Sequence, residues 1–230
     1  MNNKNYQLVS VILSTYNNSA SINDSVKSIL GQTYKNIELL IIDDGSTDDT
    51  WEKLNKFKDS RIKLFKNKKN IGLTKSLNNL ISNSNGQYIA RQDADDISLP
   101  HRLEAQVNVL STSPYQVCTS RAKIKDDSSL IPGLSFHFPY KLIIKYKNPF
   151  IHGTMMIEKY CLDSINCYDE NFYYAQDYKL FSDLIKNNIS IYQIKEPLYI
   201  LNMKNNISSE KLNEQNYYAY CVRKNITPNL

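Results

Sequence analysis

The sequence predicts an α/β protein with a mostly parallel central sheet and helices on both faces. Three observations predict it. Short apolar, β-branched runs alternate with segments whose apolar residues recur at helical spacing. Polar and acidic clusters follow directly on the first, second and fourth of those runs, where parallel sheets carry their ligand-binding loops. The chain has 230 residues, 41% hydrophobic and 22% charged. That is enough for a real core and unlike a disordered or coiled-coil composition.

Residues 8–13 (LVSVIL) read as a buried strand. Residues 19–30 place Ile22, Val26, Ile29 and Leu30 on one helical face. Residues 37–42 (IELLII) form a second strand, ended by the turn residues Asp43-Asp44-Gly45-Ser46. Thr47 is the expected cap of a helix through Trp51, Leu54 and Phe57. Residues 61–65 alternate as a half-buried strand does, and residues 73–81 read as a helix closed by Asn85-Gly86. A fourth strand, 87–91, runs into Asp93-Ala94-Asp95-Asp96. Pro100 is expected in the first turn of a helix through Leu103, Val107 and Leu110. Residues 115–119 are a fifth strand.

The second half is less regular. Residues 126–132 read as a loop, and 139–147 (PYKLIIKYK) as a short amphipathic segment. Residues 151–157 look strand-like and carry His152. Residues 176–185 are helical, 189–194 and 198–201 are strands, and the polar tail from Ser208 is a helix with a frayed end.

Formal net charge is +5. Such a balance suits phosphate-bearing substrates, anionic membranes or nucleic acid. The lysines from Lys53 to Lys69 are spread over a helix, a strand and a loop, with no RNA-binding motif behind them, so no nucleic-acid partner is expected. Residues 141–147 suit either peripheral contact with a membrane or packing against the sheet. Cys118, Cys161, Cys167 and Cys221 show no zinc spacing and read as reduced thiols. No apolar run reaches the roughly 18 residues of a spanning helix, and residues 1–7 lack an apolar signal core. The expected location is cytoplasmic, free or at the membrane surface.

Three strand ends carry the chemistry. Asp93, Asp95 and Asp96 repel one another, and a hard divalent cation, Mg²⁺ or Mn²⁺, with substrate phosphate oxygens would relieve that repulsion. The same carboxylates would also suit a helix N-terminus, Asp96 above all. Asp44 can accept from a nucleobase N–H or a ribose hydroxyl, or serve a turn and cap. Ser14-Thr15-Tyr16-Asn17 offers backbone and hydroxyl groups to a nucleotide, with Tyr16 able to stack on a base. Neither GxGxxG nor GxxxxGK[ST] is present. His152 can be a satisfied core residue.

Four segments in order, VSVILSTYN, SILGQTYKNIELLIIDDGSTDDT, NIGLTKSLN and YIARQDADDISLPHRLE, resemble glycosyltransferase family 2, whose fold is GT-A. The likeness is close over residues 8–110. It is looser at NPFIHGTMMIEK and YYAQDYKLFSDLI. The resemblance implies a single domain over 1–230: a nucleotide-sugar half to about 120, an acceptor half over 121–205 and a tail over 206–230. It implies donor contacts from Ser14, Tyr16, Asn17, Asp44 and Asp93, with Asp95 as metal ligand for Mg²⁺ or Mn²⁺. Asp177 would be the general base of an inverting transfer from a nucleoside-diphosphate sugar, UDP-sugar favoured, to a glycan or lipid-linked acceptor. His152 and Gln176 would be acceptor-side residues, with His152 in contact with acceptor or diphosphate.

This chain departs from the family pattern in three places. Gln176 stands where a Glu usually precedes the base. Ile200 and Asn202 stand where many relatives carry Arg and His, and Lys204 is a candidate substitute cation. The competing expectation is a family member that binds nucleotide-sugar or glycan without turnover. A Mg²⁺-dependent phosphohydrolase would place its nucleophilic Asp at the end of the first strand, where this chain has Ser14-Thr15-Tyr16-Asn17.

Overall fold

The computed structural model describes residues 7–203 and 211–229. Lys204 and the start of the tail lie outside them. The elements run β1 (Val9–Thr15), α1 (Ile22–Leu30), β2 (Ile37–Asp43), α2 (Thr50–Asn55), β3 (Ile62–Lys66), α3 (Leu73–Ser82), β4 (Tyr88–Asp93), β5 (Ile97–Ser98) and α4 (Arg102–Thr112). Then come β6 (Val117–Ile124), β7 (Leu130–Ile131), α5 (Tyr140–Ile143), β8 (Met156–Glu158), α6 (Lys159–Ser164), α7 (Gln176–Lys186), β9 (Ile191–Leu201) and α8 (Leu212–Lys224). The sheet order is β3-β2-β1-β4-β8-β6-β9-β5. The first four strands are mutually parallel, and β8 enters antiparallel between β4 and β6.

Period-two alternation sorts β1 between two cores. Val9, Val11 and Leu13 meet α1, α2 and α4 through Val26, Ile29, Leu54 and Leu103. Ile12 faces the other way, toward α3, α6, α7 and α8 through Leu77, Leu162, Phe181 and Val222. Every residue of β1 and β2 is therefore buried, which is why both read as mostly apolar runs, broken inside by Ser10 and Glu38, which hydrogen-bond each other.

Several expectations change. The N-cap position of α2 is Asp49, not Thr47, and the residue before it, Asp48, satisfies the helix start: its carboxylate accepts from the Thr50 amide at 3.0 Å, the Thr50 hydroxyl and the Ser19 amide. Pro100 lies ahead of α4 rather than inside it. Part of the 126–132 loop pairs with β6 as β7. The two late strands are one, β9, whose register against β6 shifts around Pro197, a residue that cannot donate to the ladder. His152 sits in a 3-10 turn, His152–Thr154, before the strand rather than on it.

At the sheet edge away from the strand C-termini, Glu38 accepts from the Ser10 hydroxyl, the Lys63 ammonium at 2.6 Å and the Asn85 amide at 2.6 Å. Burial alone would raise its pKa; those hydrogen bonds outweigh burial and hold it below its ordinary 4.5. A depressed carboxylate stabilises the fold above its unfolded pKa, and that stability is lost as pH falls through the folded value. Glu38→Gln is therefore expected to lower unfolding free energy by about 1–3 kcal/mol at neutral pH. In urea melts that deficit should shrink as pH falls below 4.5; a deficit independent of pH would contradict the ionic assignment.

Candidate active site

The C-terminal ends of β1, β2 and β4 lie side by side, with Ser14 opposite Asp93 and Thr15 opposite Asp43. The order 3-2-1-4 makes the β1/β4 seam a topological switch point, the place where open α/β sheets bind ligands. Asp44 follows β2, is buried, and its carboxylate accepts from Asn67 Nδ2 (2.7 Å), the Ile71 amide (3.0 Å) and the Gly72 amide (2.9 Å). It thus organises the β3–α3 loop and retains limited acceptor capacity for a ligand. Asn17 clips the first two loops together: its carbonyl accepts from the Thr47 amide, and its own amide donates to Ser46 Oγ. Tyr16 is exposed beside them.

Tyr173, from the loop before α7, lies against Gly72; a Cβ there would come within 2.7 Å of its ring. Gly72 also has a φ of 95°, so its identity is fixed by conformation and by the ring together. The Tyr173 phenol is pushed up by burial, then by Tyr174, Asp44 and Tyr16. A tyrosine from the second half of the chain therefore lies near Asp44 and Tyr16.

The acidic cluster is held from beneath. Ser25 Oγ donates to the Asp93 carbonyl at 2.8 Å, and the Gln92 amide group donates to the carbonyls of Asp93 and Asp96. Arg91, fully buried, pairs with Asp93 Oδ1. The Asp93 amide donates to the Tyr199 hydroxyl at 3.0 Å. Arg102, also fully buried, donates to Gln92 Oε1, Ser98 Oγ, Gln106 Oε1 and the Arg91 carbonyl. Burial pushes its pKa down to about 10, so it remains a cation.

Asp95 is half-buried, and its pKa is raised by burial and then by Asp93. Asp96 is buried and pushed up to about 8 by burial, Asp93 and Asp95. It does not sit at a helix N-terminus: β5 intervenes, α4 starts at Arg102, and the Asp96 carboxylate accepts from the Asn202 amide at 2.7 Å. Ile200 pairs with Ile97 in β5. The end of β9 thus meets the acids through the Tyr199 hydroxyl and the Asn202 backbone amide.

Among the described residues, no group of three His, Cys, Asp or Glu side chains is arranged to hold a metal by itself. The donor set fits a hard cation that takes Asp95, with Asp93, and completes its shell with substrate oxygens. Asp93 has one oxygen committed to Arg91, which leaves Asp95 the freer ligand.

Across from the acids, Gly153 abuts Asp93; a Cβ there would lie 2.6 Å from Asp93 Oδ2 and 2.5 Å from the Tyr199 hydroxyl. Its neighbour His152 is hydrogen-bonded through Nε2 to the Tyr168 hydroxyl at 2.7 Å. Burial and then Arg91 push the imidazole down to about 4, against the pull of Asp93 and Asp177, so it is neutral at physiological pH. Asp177 is the second residue of α7, whose N-cap, Ala175, adopts a left-handed φ of 51°. Its carboxylate accepts from Asn148 Nδ2 (2.7 Å) and the Tyr178 amide (2.8 Å). Gln176 is half-buried next to it.

The fold therefore gathers Ser14, Tyr16, Asn17, Asp44, Asp93 and Asp95 along one sheet edge. His152 feels both Asp93 and Asp177. Arg91, Arg102, Gly153 and Tyr199 were not singled out from sequence. A legible signal existed for the two arginines, each a cation within an otherwise apolar-periodic segment.

A profile of glycosyl transferase family 2 matches residues 10–166. The chain belongs to this family. The glycosyltransferase is 34% identical over 188 residues to an Escherichia coli protein named UDP-Glc:alpha-D-GlcNAc-diphosphoundecaprenol beta-1,3-glucosyltransferase WfaP, covering 80% of this chain and 72% of that one. Its fold is that of S. aureus TarS 1–349, solved with UDP-GlcNAc: TM-score 0.76, 20% identity, 88% of this chain and 60% of that chain. It also matches the mannosyltransferase PcManGT from Pyrobaculum calidifontis, solved with GDP-Man and Mn²⁺, at TM-score 0.72 and 16% identity, covering 96% and 65%. The glycosyltransferase is GT-A-like, and it spans about three fifths of the TarS fragment.

Proposed function

We propose that this glycosyltransferase moves a sugar from a UDP-sugar to a lipid-linked glycan acceptor, with inversion, using Asp177 as general base. The observation that carries the reading is the side-by-side placement of the Ser14, Asp43-Asp44 and Asp93 strand ends, with Gly153 against Asp93 from the far half of the chain. The UDP-sugar and the lipid-linked acceptor are taken from the WfaP name, and UDP-GlcNAc also accompanies TarS.

In this reading the nucleobase lies beside Tyr16 and hydrogen-bonds Asp44, while Ser14 and Asn17 line the nucleotide loop. Asp93, held by Arg91, orients the ribose or diphosphate. A divalent cation held by Asp95 would neutralise charge building on the departing nucleoside diphosphate. Asp177 uses one lone pair on each oxygen for Asn148 and Tyr178 and has others to accept the acceptor hydroxyl proton. The new bond forms between that oxygen and the anomeric carbon as the bond from that carbon to phosphate breaks. His152 and Gln176 border the acceptor.

The test is a thermal-shift panel with UDP, GDP and CMP, each with and without Mn²⁺. UDP is expected to raise the melting temperature only with metal; at 100 times its dissociation constant the stabilisation is about 2.7 kcal/mol. Asp95→Asn should erase the metal-dependent part. A cooperative melt that no nucleotide shifts would overturn the donor assignment.

A further inference from the structure

We infer that residues 134–147 form a docking surface for an anionic lipid bilayer. This stretch presents four large apolar side chains at intervals of four: Leu134 (84% exposed), Phe138 (59%), Leu142 (55%) and Tyr146 (75%). Lys141, Lys145 and Lys147, all exposed, interleave with them. The intervening residues hold the segment down: Tyr140 packs on Phe150 with ring centroids 5.5 Å apart, and Ile144 is buried in the core. Leu142 and Tyr146 are thus not a poorly packed inner face, and Leu134 and Phe138 lie exposed on the turn that leads into α5. The inner face is already satisfied.

The surface extends sideways. Arg223, near the end of α8, donates to the Tyr146 carbonyl at 3.4 Å, and its neighbours Tyr220 and Lys224 are exposed. Lysines, an arginine and tyrosines thus adjoin the aliphatic row. Long cationic stems with apolar neighbours suit the headgroup boundary, where ammonium groups reach anionic phosphates and rings and aliphatic chains enter the acyl margin. Charge complementarity selects an anionic bilayer over a neutral one. No helix among the described residues is long and apolar enough to cross a membrane, so the contact is peripheral.

The segment ends at the site. Asn148, directly after Lys147, donates to Asp177. The C-terminal end of this surface thus leads directly into a residue that holds the carboxylate assigned to the acceptor hydroxyl. That placement rests on the lipid-linked acceptor proposed above; the docking surface itself does not.

The experiment is co-sedimentation of the chain, without nucleotide, with phosphatidylcholine vesicles and with vesicles also containing phosphatidylglycerol. Binding is expected to the anionic vesicles alone and to weaken with salt. Lys141→Glu/Lys145→Glu/Lys147→Glu should weaken it by at least about a hundredfold. Leu142→Ser/Tyr146→Ser should weaken it at least about tenfold. All these positions are exposed, so unchanged melting temperatures and an unchanged UDP shift would show both variants folded. Absence of binding by the parent chain, or variants that bind as it does, would overturn the inference. So would self-association that both variants abolish without any vesicle binding. A chain that binds vesicles but no nucleotide would keep this surface and refute the donor reading instead.

Discussion

Asp177→Asn is expected to lower the rate of sugar transfer by about 10²–10⁴-fold, the contribution typical of a positioned general base. The amide keeps the shape of the carboxylate and can still accept from Asn148 or the Tyr178 amide, so the fold and donor binding should survive. The stabilisation conferred by UDP with Mn²⁺ should therefore match the parent chain, while kcat falls. That split separates loss of proton acceptance from loss of binding. A fall of less than about tenfold would remove Asp177 from the base role and transfer attention to His152, the neighbouring imidazole, as proton acceptor.

Arg102→Met is expected to give the largest loss of stability, about 3–5 kcal/mol. The methionine fills much of the volume, but Gln92 Oε1, Ser98 Oγ, Gln106 Oε1 and the Arg91 carbonyl lose a common donor. Each is in a buried region where water cannot substitute cheaply. In a urea melt the midpoint should fall with little change in slope. Because Gln92 also holds the turn bearing the three acids, metal-dependent binding of UDP should weaken in the protein that remains folded. A loss below about 1 kcal/mol would mean that these acceptors repair themselves with one another.

The parallel half of the sheet was legible because β1 and β2 are buried on both faces, which leaves short, mostly apolar, β-branched runs ended by turn residues. Asp44 and the acids from Asp93 to Asp96 stood out for the opposite reason: they interrupt the apolar pattern at strand tips, although Asp44 also organises the β3–α3 loop. What the residues did not disclose were contacts fixed by tertiary pairing. Asp96 looks like a helix-start carboxylate until β5 places it against the Asn202 amide. His152 reads as part of a strand because its neighbours are apolar, yet the turn at Gly153 is dictated by the approach of Asp93 and Tyr199. The irregularity near Pro197 split one strand into two, since a register shift is a property of the partner strand as well. Thr47 lost the helix start to Asp48, which could reach the Thr50 and Ser19 amides at once.

The antiparallel entry of β8 between β4 and β6 has a consequence for synthesis. The four parallel strands and α1 to α3 are complete once residue 93 has been made. Hydrogen-bonding partners for the far edge of β4, at Tyr88, Ile89 and Ala90, arrive only with residues 156–158. Until then the nascent chain carries an apolar strand edge open to any other extended peptide. The parallel half of the sheet is thus the half that must wait, and its protection depends on how quickly residues 156–158 emerge and close the seam.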